Sequence, residues 1–341
     1  MTSFERPAIR NLLLAGIFVL AFTFFIRAIA PGPTKAPDYD GSTRGEEVVV
    51  HIEAGMSGSE IGTLLESKDV VKSSLAYFRA AVAEPKSERI APGEHRLETQ
   101  IPAREAVQQL LDADRIVNLV RVRDGARIKE ISRALIESGF EKGAVSSAFK
   151  EVRPPSAFKT KSLEGFLYPA FYSFPKVTNA SAAIEAMLSK FDFTTKKVNW
   201  SYLDFTPYQL LTIASLIEGE GTPDVFDKVS RVIYNRLEVG MRLQFDSTVH
   251  YILDSRGEIA LSLKDTKINN RYNTYMYQGL PPTPIGSPTI KAIEAALNPA
   301  EGKWLYFVTV LPGETKFTAS YDEFLRFKAE YKRNYEAGKF E

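Results

Sequence analysis

Residues 206–240 read TPYQLLTIASLIEGEGTPDVFDKVSRVIYNRLEVG, and the punctuation of this stretch predicts two consecutive helices. Thr206 is a capping residue with Pro207 at the first helical position, and the apolar run ends at Ile217, ahead of Gly219 and Gly221. Thr222 and Pro223 repeat the start signal for a helix carrying Val229, Ile233 and Leu237, with Gly240 as its stop. Glu218 therefore falls at a helix end, behind the run LLTIASLI. A carboxylate there is disfavoured twice: the last turn of a helix carries partial negative charge, and Glu220 adds a like charge if both approach the same space. Both effects raise a carboxyl pKa, as a general acid working near neutral pH requires. The bland alternative is a solvated Glu in a glycine-rich turn, and spacing alone does not separate the two.

Outward from this stretch the chain keeps its punctuation. Downstream, 304–310 (WLYFVTV), a Pro312-Gly313 turn and 315–320 (TKFTAS) read as a hairpin, followed by a charged amphipathic helix over 322–335. Upstream, aromatic density rises from Pro154 through FLYPAFYSF, ahead of a helix at about 181–191. Further upstream the chain repeats itself. Segments 48–70 and 119–140 each read as strand, turn and amphipathic helix, with Gly55, Glu60, Ile61 and Leu65 at the offsets of Gly125, Glu130, Ile131 and Leu135. Between them Pro92-Gly93 makes a turn, and Ile101-Pro102 opens a helix with Val107, Leu110 and Leu111. This region is a small α/β module, and a spacer without any ligand is the alternative.

A length of 341 residues, 44% hydrophobic and 25% charged, suffices for a sizeable core. The net charge of +1 gives no field that would attract nucleic acid. The absence of cysteine excludes disulfides and thiol chemistry, and His51, His95 and His250 have no ligand spacing, so a zinc site is not expected. Residues 12–30 form an apolar run, with Arg27 its single charge, about as long as one bilayer crossing. The alternative is a cleaved signal peptide ending at Ala28-Ile29-Ala30, although Pro31 is a poor residue to follow a cleavage site. The expected fold is α+β. It comprises a tail and transmembrane anchor over 1–30, a Pro- and Gly-rich linker over 31–45, a small α/β module over 46–150 and a mixed α/β catalytic domain over 151–341. Arginines and lysines balance across the apolar run, so charge leaves orientation open, and the catalytic part is expected outside the cytoplasm on a single-pass anchor in the cytoplasmic membrane.

The segment IASLIEGEG (213–221), together with VSRVIYNRLEVGMRLQFDSTVHY (229–251), resembles the signature of the MltG (YceG-like) family. The likeness continues through LEGFLYP (163–169), NTYMYQGLPPTPI (273–285) and LYFV (305–308), in the family's order and over nearly the whole chain. The resemblance implies that Glu218 is the catalytic residue, that 46–150 is a LysM-like module, that peptidoglycan is the substrate, and that the protein works beside cell-wall synthases. Several positions depart from the family's usual residues: Ala170 and Phe171 after LEGFLYP, Thr283 and Ser287 after GLPP, Thr315 in the hairpin, and Phe324.

The activity so implied is that of an endolytic lytic transglycosylase. Glu218 protonates the oxygen between N-acetylmuramic acid and N-acetylglucosamine. The sugar's own 6-hydroxyl then attacks, Glu218 takes its proton, and a 1,6-anhydro end results, with neither a metal nor an organic cofactor required; such cuts terminate nascent strands. Candidates for substrate contact are Glu220, Glu164, Asn235, Arg236, Gln244, Asp246, Asn273 and Tyr275. Amides suit N-acetyl and hydroxyl groups and tyrosine faces suit sugar rings, while capping and turn formation are the alternatives. Two other functions remain open at this point: a hydrolase pairing Glu218 with Asp246 or Glu220 across the scissile bond, and a non-enzymatic glycan-binding scaffold of the synthesis machinery.

Overall fold

The computed structural model describes residues 36–340, apart from 43, 54, 176 and 257–260. The chain divides into two compact units, one made of the residues up to Val50 with Gly55–Ile90 and Arg96–Asp112, the other of His51–Ala54, Ala91–His95 and Ala113–Glu341. The second copy of the sequence repeat thus lies wholly in the second unit.

The first copy runs β1 (Glu47–Ile52), α1 (Gly58–Ser67), α2 (Ser74–Ala83) and β2 (Gly93–Glu98), and β1 pairs with β2. After α3 (Ala103–Leu111) the second copy runs β3 (Leu119–Val122), α4 (Ile128–Glu137), α5 (Lys142–Glu151) and β4 (Ala170–Ser173). Its strands pair antiparallel, Val122 opposite Ala170 and Leu119 opposite Ser173. The repeat is therefore longer than the sequence reading: each copy continues through a second helix to a strand that pairs with the first. Both turns place their glycine at positive φ, 89° for Gly55 and 63° for Gly125, where an L side chain is disfavoured.

In the first unit α1 packs on α2 and α2 on α3, burying Ile61, Leu65, Tyr77, Ala106 and Leu110. The start of α1 is closed locally by a capping box, in which Glu60 N donates to Ser57 Oγ (3.3 Å) and Ser57 N donates to Glu60 Oε2 (2.7 Å). Residues 37–45, read as linker, are held on this unit: Ser73 Oγ donates to Pro37 O (2.7 Å) and Ala103 N to Asp38 Oδ1 (2.9 Å).

The second unit is organised around α7 (Pro207–Glu220), following α6 (Ala180–Thr195). Every residue of α7 from Leu210 to Ile217 is buried, as befits a helix that is apolar all round. Packed against α7 are α8 (Phe226–Glu238), α9 (Asp246–Leu253) and α10 (Ile290–Leu297), and the hairpin of β5 (Tyr306–Leu311) and β6 (Glu314–Thr318) carries α11 (Tyr321–Glu336). Two boundaries differ from the sequence reading. The helix α7 runs through Gly219 to Glu220 before Gly221 caps it. The next helix starts at Phe226, not at Thr222-Pro223, because the Thr222 hydroxyl donates to Asp224 Oδ1 (2.6 Å) in a local turn and so caps no helix.

The membrane-spanning helix expected within residues 1–30 lies outside the described residues. Among the described residues no helix is long and apolar enough to cross a membrane. The longest of them, α6 and α11, have 16 residues each and carry charges, against the ~20 apolar residues that a crossing needs. The fold class is corrected to mixed α/β without a supported transmembrane helix. The membrane partner and the single-pass localisation in the cytoplasmic membrane lose their support as well, and with them the place at that membrane where the resemblance set the association with synthases.

Candidate active site

The buried run of α7 ends at a cleft of about 280 Å³, into which it delivers Glu218 and Glu220. The other walls are the turn after β3 (Asp124, Gly125 and Arg127), the first turns of α9 (Asp246, Ser247, His250), Arg256, and the segment Ile285-Gly286 ahead of α10. The start of α7 is fixed by a capping box, Gln209 N to Thr206 Oγ1 (3.3 Å) and Thr206 N to Gln209 Oε1 (2.9 Å).

Residues two apart on a helix do not face each other, and the two glutamates reach different helix starts. Thr289, the N-cap of α10, donates to Glu218 Oε2 from its backbone N (2.9 Å) and its hydroxyl (2.7 Å). Both donors are neutral and both meet the same oxygen, so Oε1 has no hydrogen bond among the described residues. Burial pushes the Glu218 carboxyl above its ordinary pKa; the Thr289 hydrogen bonds oppose this, and the charge of Asp124 adds to it. The like charge expected from Glu220 thus comes instead from Asp124. Glu220 Oε1 accepts from Ser247 N in the first turn of α9 (3.1 Å), and burial pushes its carboxyl up to about 7.

The turn opposite is braced from every side. Gly125 N donates to Ser287 O (2.9 Å) and Ser287 N to Ala126 O (2.8 Å). A Cβ on Gly286 would lie 2.4 Å from Gly125 O, so only glycine fits there. Arg256 Nη2 donates to Gly125 O (3.1 Å) while the same guanidinium pairs with Glu130, Nε to Oε1 at 2.8 Å. Glu130 Oε2 in turn accepts from Arg127 N (2.9 Å), and Arg127 Nη1 donates to His250 O (3.1 Å). Burial would raise the Glu130 carboxyl, but the hydrogen bonds from Arg256 and Arg127 hold it below its ordinary value. The braced backbone abuts the acid, since a Cβ on Gly125 would stand 3.5 Å from Glu218 Cγ.

Of the residues singled out by sequence, Glu218, Glu220 and Asp246 come together in the cleft. Tyr275 joins them through its hydroxyl, which donates to Asp246 Oδ1 (2.5 Å). Arg236 is buried, donating to Leu305 O (2.6 Å) and to Leu243 O, and its charge lies near enough to Glu220 to lower that carboxyl slightly. The rest do not line the cleft. Asn235 bonds Gly302 O and Trp304 O, and Asn273 is fully buried, bonding Thr266 O and Ile268 O. Gln244 is exposed at φ 51°, and its backbone N donates to Thr274 O. Glu164 is buried beneath α4, where Oε1 accepts from Ile128 N (3.1 Å) and Oε2 from Tyr251 OH (2.9 Å).

The unusual residues are mostly remote from the acid. Ala170 and Phe171 form β4, Thr315 pairs with Thr309 (2.9 Å), Phe324 stacks on Tyr306, and Thr283 bonds Tyr272 (2.8 Å). Ser287 alone adjoins the turn that faces Glu218. Sequence reasoning missed Asp124, Arg127, Ser247, His250, Arg256 and Thr289. Asp124 and Arg127 flank the repeated Gly125, and Thr289 follows Pro288 at a helix start; both are signals present in the sequence.

The YceG-like family matches residues 50–330. The chain is 31% identical over 306 residues to the endolytic murein transglycosylase of Bacillus subtilis, covering 83% of this chain and 84% of that protein. It is 26% identical to the endolytic murein transglycosylase of Streptococcus pneumoniae, where 92% of this chain spans 65% of the relative's length. A crystal structure of a yceG-like protein from Listeria monocytogenes superposes with a TM-score of 0.57 at 26% identity, covering 82% of this chain and 98% of that one.

Proposed function

Because this chain belongs to the YceG-like family, we propose that it cleaves the β-1,4 bond between N-acetylmuramic acid and N-acetylglucosamine within glycan strands, with Glu218 as the one acid and base. At the level of the family its activity is of the endolytic murein transglycosylase type, directed at peptidoglycan. The observation that carries the finer reading is the state of Glu218. Its carboxyl is raised by burial, one oxygen is fixed by two neutral donors, and the other, in a cleft, has no hydrogen bond among the described residues. Such a group keeps its proton to higher pH than an ordinary carboxyl and has a second oxygen from which to give it.

Protonation of the bridging oxygen lets the C1–O bond break, its electron pair going to the leaving sugar and positive charge developing at C1 and the ring oxygen. The 6-hydroxyl of the same muramic residue then bonds to C1, and its proton returns to Glu218. The product is a 1,6-anhydro end, formed without water, and cuts of this kind within nascent strands would terminate them. The two carboxylates considered as a hydrolytic partner are engaged elsewhere, Asp246 with Tyr275 OH and Glu220 with Ser247 N.

The test is mass spectrometry of the products formed from purified glycan strands. Glu218→Gln should abolish anhydro ends, a loss at or beyond the upper end of the roughly 100- to 10000-fold typical of one acid-base group. Glu220→Gln should retain most of the activity. Reducing ends in place of anhydro ends would make the enzyme a hydrolase, and the opposite behaviour of the two variants would make Glu220 the catalyst. The same reading gives residues 46–150, LysM-like by resemblance, a share in glycan affinity. Hydrogen exchange on Glu218→Gln bound to glycan strands should show protection within residues 46–112, which line no part of the cleft, and protection confined to the cleft would reduce that part to a spacer.

A further inference from the structure

Four carboxylates line the cleft, and three of them are tied to the protein: Glu218 to Thr289, Glu220 to Ser247 N and Asp246 to Tyr275 OH. Among the described residues the fourth, Asp124, makes no hydrogen bond and no ion pair, and it is exposed to solvent in the cleft. Its backbone is not free to drift. Asp124 precedes Gly125, whose N is bonded to Ser287 O and whose O accepts from Arg256, and that glycine packs on the Glu218 side chain. A braced backbone thus presents an uncommitted carboxylate on the wall that faces the acid, where its charge acts on Glu218 as a like charge.

We propose that Asp124 is a further catalytic residue: its carboxylate faces the muramic residue beside Glu218 and opposes the positive charge that develops at C1 and the ring oxygen as the leaving sugar departs. This rests on the reading of Glu218 as the acid. The charge of Asp124 forms no bond to the sugar and exchanges no proton in this role; it acts when the C1–O electron pair has left with the protonated sugar and before the 6-hydroxyl closes on C1. Before that moment it has a second effect, because its negative charge helps keep Glu218 protonated. The other charged or titratable groups around this space are Glu220 on α7, Arg127 just ahead of α4, Asp246 and His250 on α9, Arg256 after it, Tyr168, and Glu294 on α10, while the hydrogen bonds to Glu218 itself come from the neutral Thr289. Arg256 is committed to Glu130 and Gly125 O, and Arg127 to His250 O, so neither cation neutralises Asp124 directly.

The experiment is the pH dependence of kcat and KM on purified glycan strands for the full chain, for Asp124→Asn and Asp124→Glu, and for Glu218→Gln in parallel. Asp124→Asn should lower kcat about 10- to 100-fold with KM within about 3-fold, the pattern of a group that stabilises charge only in the transition state. Its alkaline limb, where the acid loses its proton, should move to lower pH, and Asp124→Glu should restore part of kcat and most of that limb. A merely structural role would not move the limb. An unchanged kcat and limb in Asp124→Asn, or a rise in KM alone, overturns the inference while Glu218→Gln remains inactive. Activity surviving in Glu218→Gln overturns the acid assignment instead, whatever Asp124 does.

Discussion

The two strand–helix–helix–strand copies begin with the same device and use it differently. In the first, Gly55 turns the chain at φ 89° and a Cβ there would meet nothing within 4 Å. The helix that follows is capped from within its own first turn, by Ser57 and Glu60. In the second, Gly125 makes the same turn at φ 63°, but the turn is gripped by Ser287 and Arg256 and pressed on Glu218. Its helix start takes a carboxylate from a distant part of the chain, Glu164 on Ile128 N. A local motif that is sufficient for folding has, in the second copy, become one wall of a cleft.

The contrast breaks most visibly at the glycines. Gly286→Ala puts a methyl group where Gly125 O already stands, so the turn must move; a displacement of about 1 Å in a reacting constellation costs on the order of 100-fold in rate. Gly55→Ala carries only the left-handed backbone cost of about 1 kcal/mol and should leave the rate intact. Initial rates of anhydro-end formation with thermal melts of both variants check this. A Gly286→Ala enzyme of normal rate would mean that the turn's closeness to Glu218 has no catalytic consequence.

Glu164 gives the next largest effect, and it is read in stability. Burial pushes its carboxyl up to about 7, so the folded chain holds a proton there that the unfolded chain releases from about pH 4.5 upward. The sign follows: the folded state loses stability as pH rises from about 4.5 to 7 and has lost it fully above that. Glu164→Gln keeps an acceptor for Ile128 N and carries no charge, so it should be more stable than the parent at pH 8, on the order of 3 kcal/mol, and indistinguishable from it at pH 4. Melting temperatures across that range decide it, and a difference that does not vary with pH would deny Glu164 its buried ionisation. No comparable term is expected from the first copy, whose cap is exposed.

How much of this was legible in the sequence follows from the same contrast. The start of α7, the hairpin and the first half of each repeat are specified by residues within a few positions of one another, such as Thr206, Pro207 and Gln209, and local patterns carry them. Glu218 was legible as a carboxylate behind an apolar run and by resemblance. Its environment was not. Thr289 is 71 positions away, and the Arg256–Glu130 pair spans 126, so nothing in spacing joins them. Asn235, Asn273 and Glu164 stand out in the sequence as polar residues near motifs, yet each satisfies part-buried backbone groups, a demand that only the packed chain creates. The 12–30 run carried a strong hydropathy signal, but the described helices offer nothing of matching length.

The finest test of the comparison uses the one charged side chain that both copies share at the same offset, Glu60 and Glu130. Each accepts from the backbone N three residues earlier, Ser57 and Arg127, so glutamine in either place keeps the cap. Only Glu130 also holds Arg256, whose remaining N–H grips Gly125 O. Glu60→Gln should therefore leave the rate unchanged, whereas Glu130→Gln releases the guanidinium and loosens the wall facing Glu218, lowering the rate about 10-fold. Arg256→Gln should cost about the same. If the two act as one clamp, the double variant is no slower than either single one, because the first substitution has already released what the second would remove. Rates for the four enzymes close the cycle. Losses that multiply to about 100-fold would mean that Glu130 and Arg256 each support the wall separately and do not act as one clamp.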